Sequence, residues 1–171
     1  MQERTYHRPG GSMLGIRNLV TVCVDRCGTD LSGEAWHCYA EDPISYEGVD
    51  SLTLQLDRLF DRLGMPQHES WFRSFSKVRR NDLMPEIGPL PKKLLDQQKV
   101  LEKRGLLATF ALHVQHRKNS TWQGSILWVE TGRWFSFRSV LELMKIVDRV
   151  VNREELPGQQ SDQAAGVRHP A

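Results

Sequence analysis

Hydrophobic positions along this chain fall into strand-length runs followed by a helix-period stripe, and they do so twice. Leu19–Arg26 (Leu-Val-Thr-Val-Cys-Val-Asp-Arg) is rich in β-branched residues and predicts a strand. Cys27–Asp30 supplies a turn and Gly33–Tyr39 a returning strand. Glu41-Asp42-Pro43 turns the chain again before a short strand at Ile44–Tyr46. Val49, Leu52, Leu56, Leu59, Phe60 and Leu63 then recur at helical spacing, with Gly64 as the stop. Farther on, Thr109–Arg117, Trp122–Glu130 and Trp134–Phe137 predict strands, parted by turns at Lys118–Ser120 and Thr131-Gly132. Ser139 stands three residues before Glu142, the spacing of a capping box. It starts a helix whose stripe is Val140, Leu143, Met144, Val147, Val150 and Val151.

The two series superpose without a gap when 19–62 is laid on 110–153. Arg26 then falls on Arg117, Gly33 on Gly124, Tyr46 on Phe137, Leu52 on Leu143 and Asp57-Arg58 on Asp148-Arg149. Eight of the 44 positions are identical, and the helical stripes coincide as apolar positions better than as identities. The predicted fold is therefore α+β: a tandem repeat of a β-hairpin of two or three antiparallel strands followed by a helix, related by a pseudo-twofold axis. A unit of this size buries too little apolar surface to stand alone, so two copies would share a core.

Around the copies the chain divides into a flexible arm at 1–18, the first copy at 19–64, a connector at 65–108, the second copy at 109–153 and a disordered tail at 154–171. Within the connector, Trp71, Phe72 and Phe75 predict one or two helical turns, 76–90 a loop, and Pro91 the first turn of a helix over Lys92–Arg104 that ends at Gly105.

Charge sharpens the picture. Residues 19–64 hold nine acids and three arginines, a net of −6, whereas 105–153 hold seven bases and three acids, a net of +4. Opposite fields favour docking of one copy on the other. No apolar run is long enough to span a bilayer, the N-terminal stretch has no apolar core of a signal peptide, and three cysteines are an odd number. These features predict a cytoplasmic protein with no membrane partner.

Candidate chemistry is sparse. Cys23, Cys27, His37 and Cys38 carry ligand atoms for zinc, but their spacing lacks the paired knuckles of a structural site, and the aligned second-copy residues Val114, Lys118, Trp128 and Val129 cannot ligate it. We expect no metal and no cofactor. No phosphate loop, nucleophile elbow or paired-carboxylate set occurs, so no catalytic residue is assigned. Arg117, Lys118, Arg133 and Arg138 interleave with tryptophans, and Trp134 is the one less committed to a core strand. These five form the candidate surface for nucleic acid or a partner. A structural reading of Arg117 competes with this, in which it pairs with an acid such as Asp57 or Asp148 while Gly33 and Gly124 relieve close contacts.

The stretches Arg117-Lys118-Asn119-Ser120-Thr121-Trp122-Gln123-Gly124, Trp128 and Phe137-Arg138-Ser139-Val140-Leu141-Glu142-Leu143 resemble a group of short bacterial proteins with a Trp-Gln-Gly and Phe-Arg-Ser pattern. That group has no established activity, so the resemblance implies a bacterial origin. In outline the second copy is also similar to the sheet-plus-helix DNA-binding units of ethylene-response factors and of integrase arm-binding domains. Two expectations follow. The first is a non-enzymatic interaction or adaptor protein that binds a protein partner or a second copy of itself. The second is a nucleic-acid-binding protein, for DNA or RNA, using the basic second copy and the connector lysines and arginine Lys92, Lys93, Lys103 and Arg104.

Overall fold

A computed structural model describes residues 7–8, 11–67, 89 and 91–152. In chain order these form β1 (His7–Arg8), β2 (Gly11–Ser12), β3 (Leu19–Cys27), β4 (Leu31–His37), β5 (Ile44–Glu47), α1 (Val49–Leu63), α2 (Gln97–Leu101), β6 (Ala108–His116), β7 (Gln123–Trp128), β8 (Arg133–Phe137) and α3 (Val140–Val151). The fold is α+β. β3 to β8 make one antiparallel six-stranded sheet in the order β5-β4-β3-β6-β7-β8, and β1 pairs with β2 in a separate two-stranded ribbon.

The two long strands β3 and β6 meet at the centre of the sheet, with Thr21 directly opposite Ala111. Alternation along each strand then sorts the side chains. Val20, Val22 and Val24 of β3 and Phe110, Leu112 and Val114 of β6 face the helix layer, where Leu52, Leu56, Leu59, Phe60 and Leu63 of α1 and Leu143, Val147 and Val150 of α3 cover them. On the opposite face Leu19, Ala111 and Leu127 pack with Met13, Leu101 and Val129 in a smaller cluster. The helices leave between them a narrow apolar cleft of about 20 Å³, floored by Val22, Phe110 and Leu112. That is space for about one water and no substrate, so this cleft is part of the core.

The local signals read from sequence operate as expected at the helix ends. Gly64 takes the left-handed conformation (φ 58°) and donates to Asp61 O and Phe60 O. Ser139 Oγ accepts from Glu142 N at 3.1 Å, and the Glu142 carboxylate accepts from Arg138 N at 2.7 Å.

Three expectations are corrected. The gapless superposition matches the cross-strand pairs Gly33–Tyr46 and Gly124–Phe137 but fails in the central strands β3 and β6. Each central strand carries a bulge, at Asp25 in β3 and at Gln115 in β6, so that Val24 pairs with Gly33 and Val114 with Gly124. By its pairing Val24 matches Val114, one residue short of the gapless register, and Arg26 matches His116 and not Arg117. A slip of one residue moves a side chain to the other face, which is why the packing, and not identity, fixes this register. Second, the helix expected over Lys92–Arg104 is confined to α2. Asp96 caps it by accepting from Gln98 N, and the N–H groups of Leu94 and Leu95 go to Cys38 O at 2.7 and 3.0 Å, so the chain before Asp96 is tied to the end of β4. Third, the arm is packed from Met13 onward. Met13 is 1% exposed, Gln97 Nε2 donates to Met13 O and Ile16 O, and Asn18 Nδ2 donates to Val114 O at 2.6 Å. The expectations for Trp71, Phe72 and Phe75, for most of the 76–90 loop and for the tail lie outside the described residues.

Candidate interaction surface

The five surface candidates do not converge. Arg117 follows β6 and is buried. The bulge at Gln115 shifts the phase of the strand and turns Arg117 onto the helix face. There its Nη1 contacts Asp57 Oδ1 at 3.0 Å and Asp61 Oδ1 at 2.7 Å, both on α1, and its Nε donates to Pro66 O at 2.8 Å. Trp122 Nε1 donates to the same Asp57 oxygen at 3.1 Å and its ring meets Phe60 edge-on at 5.5 Å. The competing structural reading of Arg117 therefore describes this side chain, with Asp57 as the acid. It also places the opposite charges of the two halves in contact at this point.

Lys118 and Arg138 are exposed and lie at one end of the sheet. The Gln123 amide holds them there: its Oε1 accepts from Lys118 N, and its Nε2 donates to Lys118 O, Thr121 O and Arg138 O. Arg133 and Trp134 begin β8 at its other end, about 17 Å away along a five-residue strand. Both are half-buried. The Arg133 guanidinium lies 5.4 Å from the Phe135 ring centre, and Trp134 packs on the cluster around Leu127. Of the connector bases, Lys103 sits 3.6 Å over the Trp36 ring and Arg104 Nη1 donates to Leu101 O and Lys103 O.

The glycines at the bulges are structural. A Cβ on Gly33 would collide with the Cys23 carbonyl oxygen, and one on Gly124 with that of His113. Cross-strand from each stands an aromatic residue, Tyr46 and Phe137, and the Phe137 ring closes on the place a Gly124 side chain would take. Tyr46 Oη also donates to Cys23 O at 3.0 Å, and burial raises its pKa.

The residues considered for zinc do not assemble. Among the described residues no group of three or more His, Cys, Asp or Glu side chains is placed to hold a metal ion. Burial pushes the Cys23 thiol up to about 12 and also raises that of Cys38, while Cys27 is exposed, with Sγ 3.7 Å from Asn152 Oδ1. His37 is buried on the helix face. Desolvation, then the nearby Arg62 charge, lowers its pKa, and its Nδ1 accepts from Tyr39 N at 3.1 Å.

The surface feature that the sequence did not single out lies along β8 and α3. Phe135, Ser139, Leu141, Glu142, Lys145, Ile146 and Arg149 line an open groove of about 360 Å³ between the edge strand and the outer side of the helix. Leu141 is 65% exposed at its rim. The helical stripe marked Leu141 as off the core face, which was the available signal. Among the described residues β8 is hydrogen-bonded on one side only, to β7. β5, the other edge, is different. It has four residues, follows Pro43, and has Ser45 O occupied by Gln55 Nε2 at 3.0 Å. Short edges and occupied carbonyls are means of blocking edge pairing, and here they protect one edge of the sheet.

No helix among the described residues is long and apolar enough to cross a membrane. No protein-family model, curated protein or solved structure matches this chain.

Proposed function

We propose that this protein is a non-enzymatic interaction or adaptor protein of bacterial, cytoplasmic origin, working through protein–protein contacts. The observation that carries the reading is the groove beside β8. An edge strand with apolar floor residues Phe135 and Ile146, an exposed leucine and a mixed-charge rim has the composition of a protein-binding patch. We also read the runs β3-β4-β5-α1 and β6-β7-β8-α3 as copies of one unit, related by a pseudo-twofold axis between Thr21 and Ala111. The paired bulges, the two carbonyl-contacting glycines and the facing aromatic rings support that reading. To test the interaction reading, tagged wild-type protein and the Leu141→Asp variant are used as bait under matched salt conditions. Proteins, this chain included, that are retained by wild type and lost from the variant are the expected result; equal recovery by both would overturn it.

A second reading, nucleic-acid binding, is favoured by one observation: Gln123 brings Lys118 and Arg138 together at one sheet end. Phosphate contacts there would weaken steeply with salt. Fluorescence anisotropy of single-stranded and duplex oligonucleotides with wild type and Lys118→Ala/Arg138→Ala decides it. Arg117 is left intact because its loss would perturb the core. Equal affinity in both proteins would sink this second reading.

A further inference from the structure

The two edges of the sheet are not alike, and the difference limits what can bind. An exposed edge strand offers alternate N–H and C=O groups to another strand. β5 is short and has Ser45 O already taken by Gln55. β8 has the sequence Arg-Trp-Phe-Ser-Phe, with strong strand formers and no glycine or proline, and among the described residues pairs on one side only. Beside it runs the groove, whose rim holds one acid, Glu142, and two bases, Lys145 and Arg149, with the Arg133 guanidinium 5.4 Å from the Phe135 ring centre at its floor.

We propose that the β8 edge takes a second copy of this chain. The two β8 strands pair antiparallel about a twofold axis near Phe135, and the two sheets become continuous. This deepens the interaction reading above and rests on it. The rim charges argue for a copy as the occupant, because a twofold interface must be self-complementary. Phe135 and Ile146 line the same groove, so the axis lies at the height of Ile146 on α3. Glu142 precedes Ile146 by four residues and Arg149 follows it by three, or roughly 6 and 4.5 Å along the helix on opposite sides of the axis. In an antiparallel pair, Glu142 of one copy therefore lies opposite Arg149 of the other, twice over. Lys145, close to the axis, is exposed and has a long stem that keeps its ammonium in water. A twofold pairing uses the β8 edge of both copies and so closes at two, and β5, with Ser45 O already taken, is the poorer template for further pairing.

The test is the mass of the full chain in solution, by light scattering over a range of concentrations, for wild type, Glu142→Arg, Arg149→Glu and the double variant. We expect wild type to have twice the chain mass at the higher concentrations. Either single reversal should weaken dimerisation about tenfold or more, and the double variant should recover it, since the reversed pair is again complementary. Because Glu142 also caps α3, a loss caused only by the cap would persist in the double variant, and that result overturns the proposal. Leu141→Asp leaves the cap intact and should also dissociate the dimer. A wild type that is monomeric throughout overturns the proposal. If that monomer still retains another protein that Leu141→Asp loses, the interaction reading survives without the second copy. If it retains nothing, both fall.

Discussion

Arg117 and Asp57 meet at 3.0 Å between a strand end in the second half of the chain and a helix in the first, and the two groups are unequally buried. The guanidinium is 2% exposed, while Asp57 is 35% and Asp61 44% exposed. The carboxylates can rehydrate if the arginine is lost, but the arginine cannot if the carboxylates are lost. Removing the partners of a buried charge costs about 3–5 kcal/mol. Asp57→Asn/Asp61→Asn should therefore destabilise the fold by about 3 kcal/mol or more, and Arg117→Met, which removes the charge and keeps much of the volume, by less. Urea unfolding of both variants checks the order; the reverse order would show that the acids are the buried partners.

The bulge glycines give a second prediction. Gly33→Ala and Gly124→Ala each set a methyl group against a backbone carbonyl that the sheet holds in place, so each should cost about 1–3 kcal/mol. Gly28 has open space around the corresponding position, and Gly28→Ala should stay within about 0.5 kcal/mol of wild type. Three thermal melts decide the matter, and a neutral Gly33→Ala would mean that the β3–β4 pairing can shift.

Stability should depend on His37 in mildly acidic solution. Its pKa in the fold lies below the ordinary 6.5, because burial and Arg62 disfavour the charge and because Nδ1 is an acceptor for Tyr39 N. Below pH 6.5 the unfolded chain then binds more protons than the folded one, so stability falls as pH drops through that window and is unaffected above it. The slope from this group is at most about 1.4 kcal/mol per pH unit. His37→Gln should flatten that part of the curve of unfolding free energy against pH; an unchanged slope would assign the effect to other groups.

Thiol reactivity should separate the three cysteines. Cys27 is exposed, whereas Cys23 and Cys38 are buried with raised pKa values. A thiol reagent at neutral pH should modify one site rapidly in the native protein and all three after denaturation, and Cys27→Ser should remove the rapid phase. Rapid modification of a second thiol would show that the sheet opens at Cys23 or Cys38.

The legible part of this structure is the part governed by near neighbours. The stripes of α1 and α3, the Gly64 stop, the Ser139–Glu142 cap and all six strands of the main sheet follow from spacings of two to four residues. For Arg117 the sequence offers Asp57 or Asp148 as the paired acid; the fold selects Asp57 and adds Asp61, one helical turn on. The connector was less legible. Lys92–Arg104 has helical composition, but the N–H groups of Leu94 and Leu95 found a carbonyl on Cys38, more than fifty residues away in sequence.

By itself the sequence determined the six strands of the main sheet, the helices α1 and α3 with their caps, and that one half is acidic and the other basic, since these depend on side-chain shape and local periodicity. Tertiary structure alone decided the bulges at Asp25 and Gln115, and with them the face on which Arg117 emerges. It also decided the central pairing of β3 with β6 and the contrast between β5, whose Ser45 O is taken by Gln55, and β8, which among the described residues pairs on one side only. A bulge is one residue added to one strand against its partner, and an edge is a strand without a second neighbour. Both are relations between segments distant in sequence, set by which pairing buries the most apolar surface while satisfying the backbone, and no local window contains them.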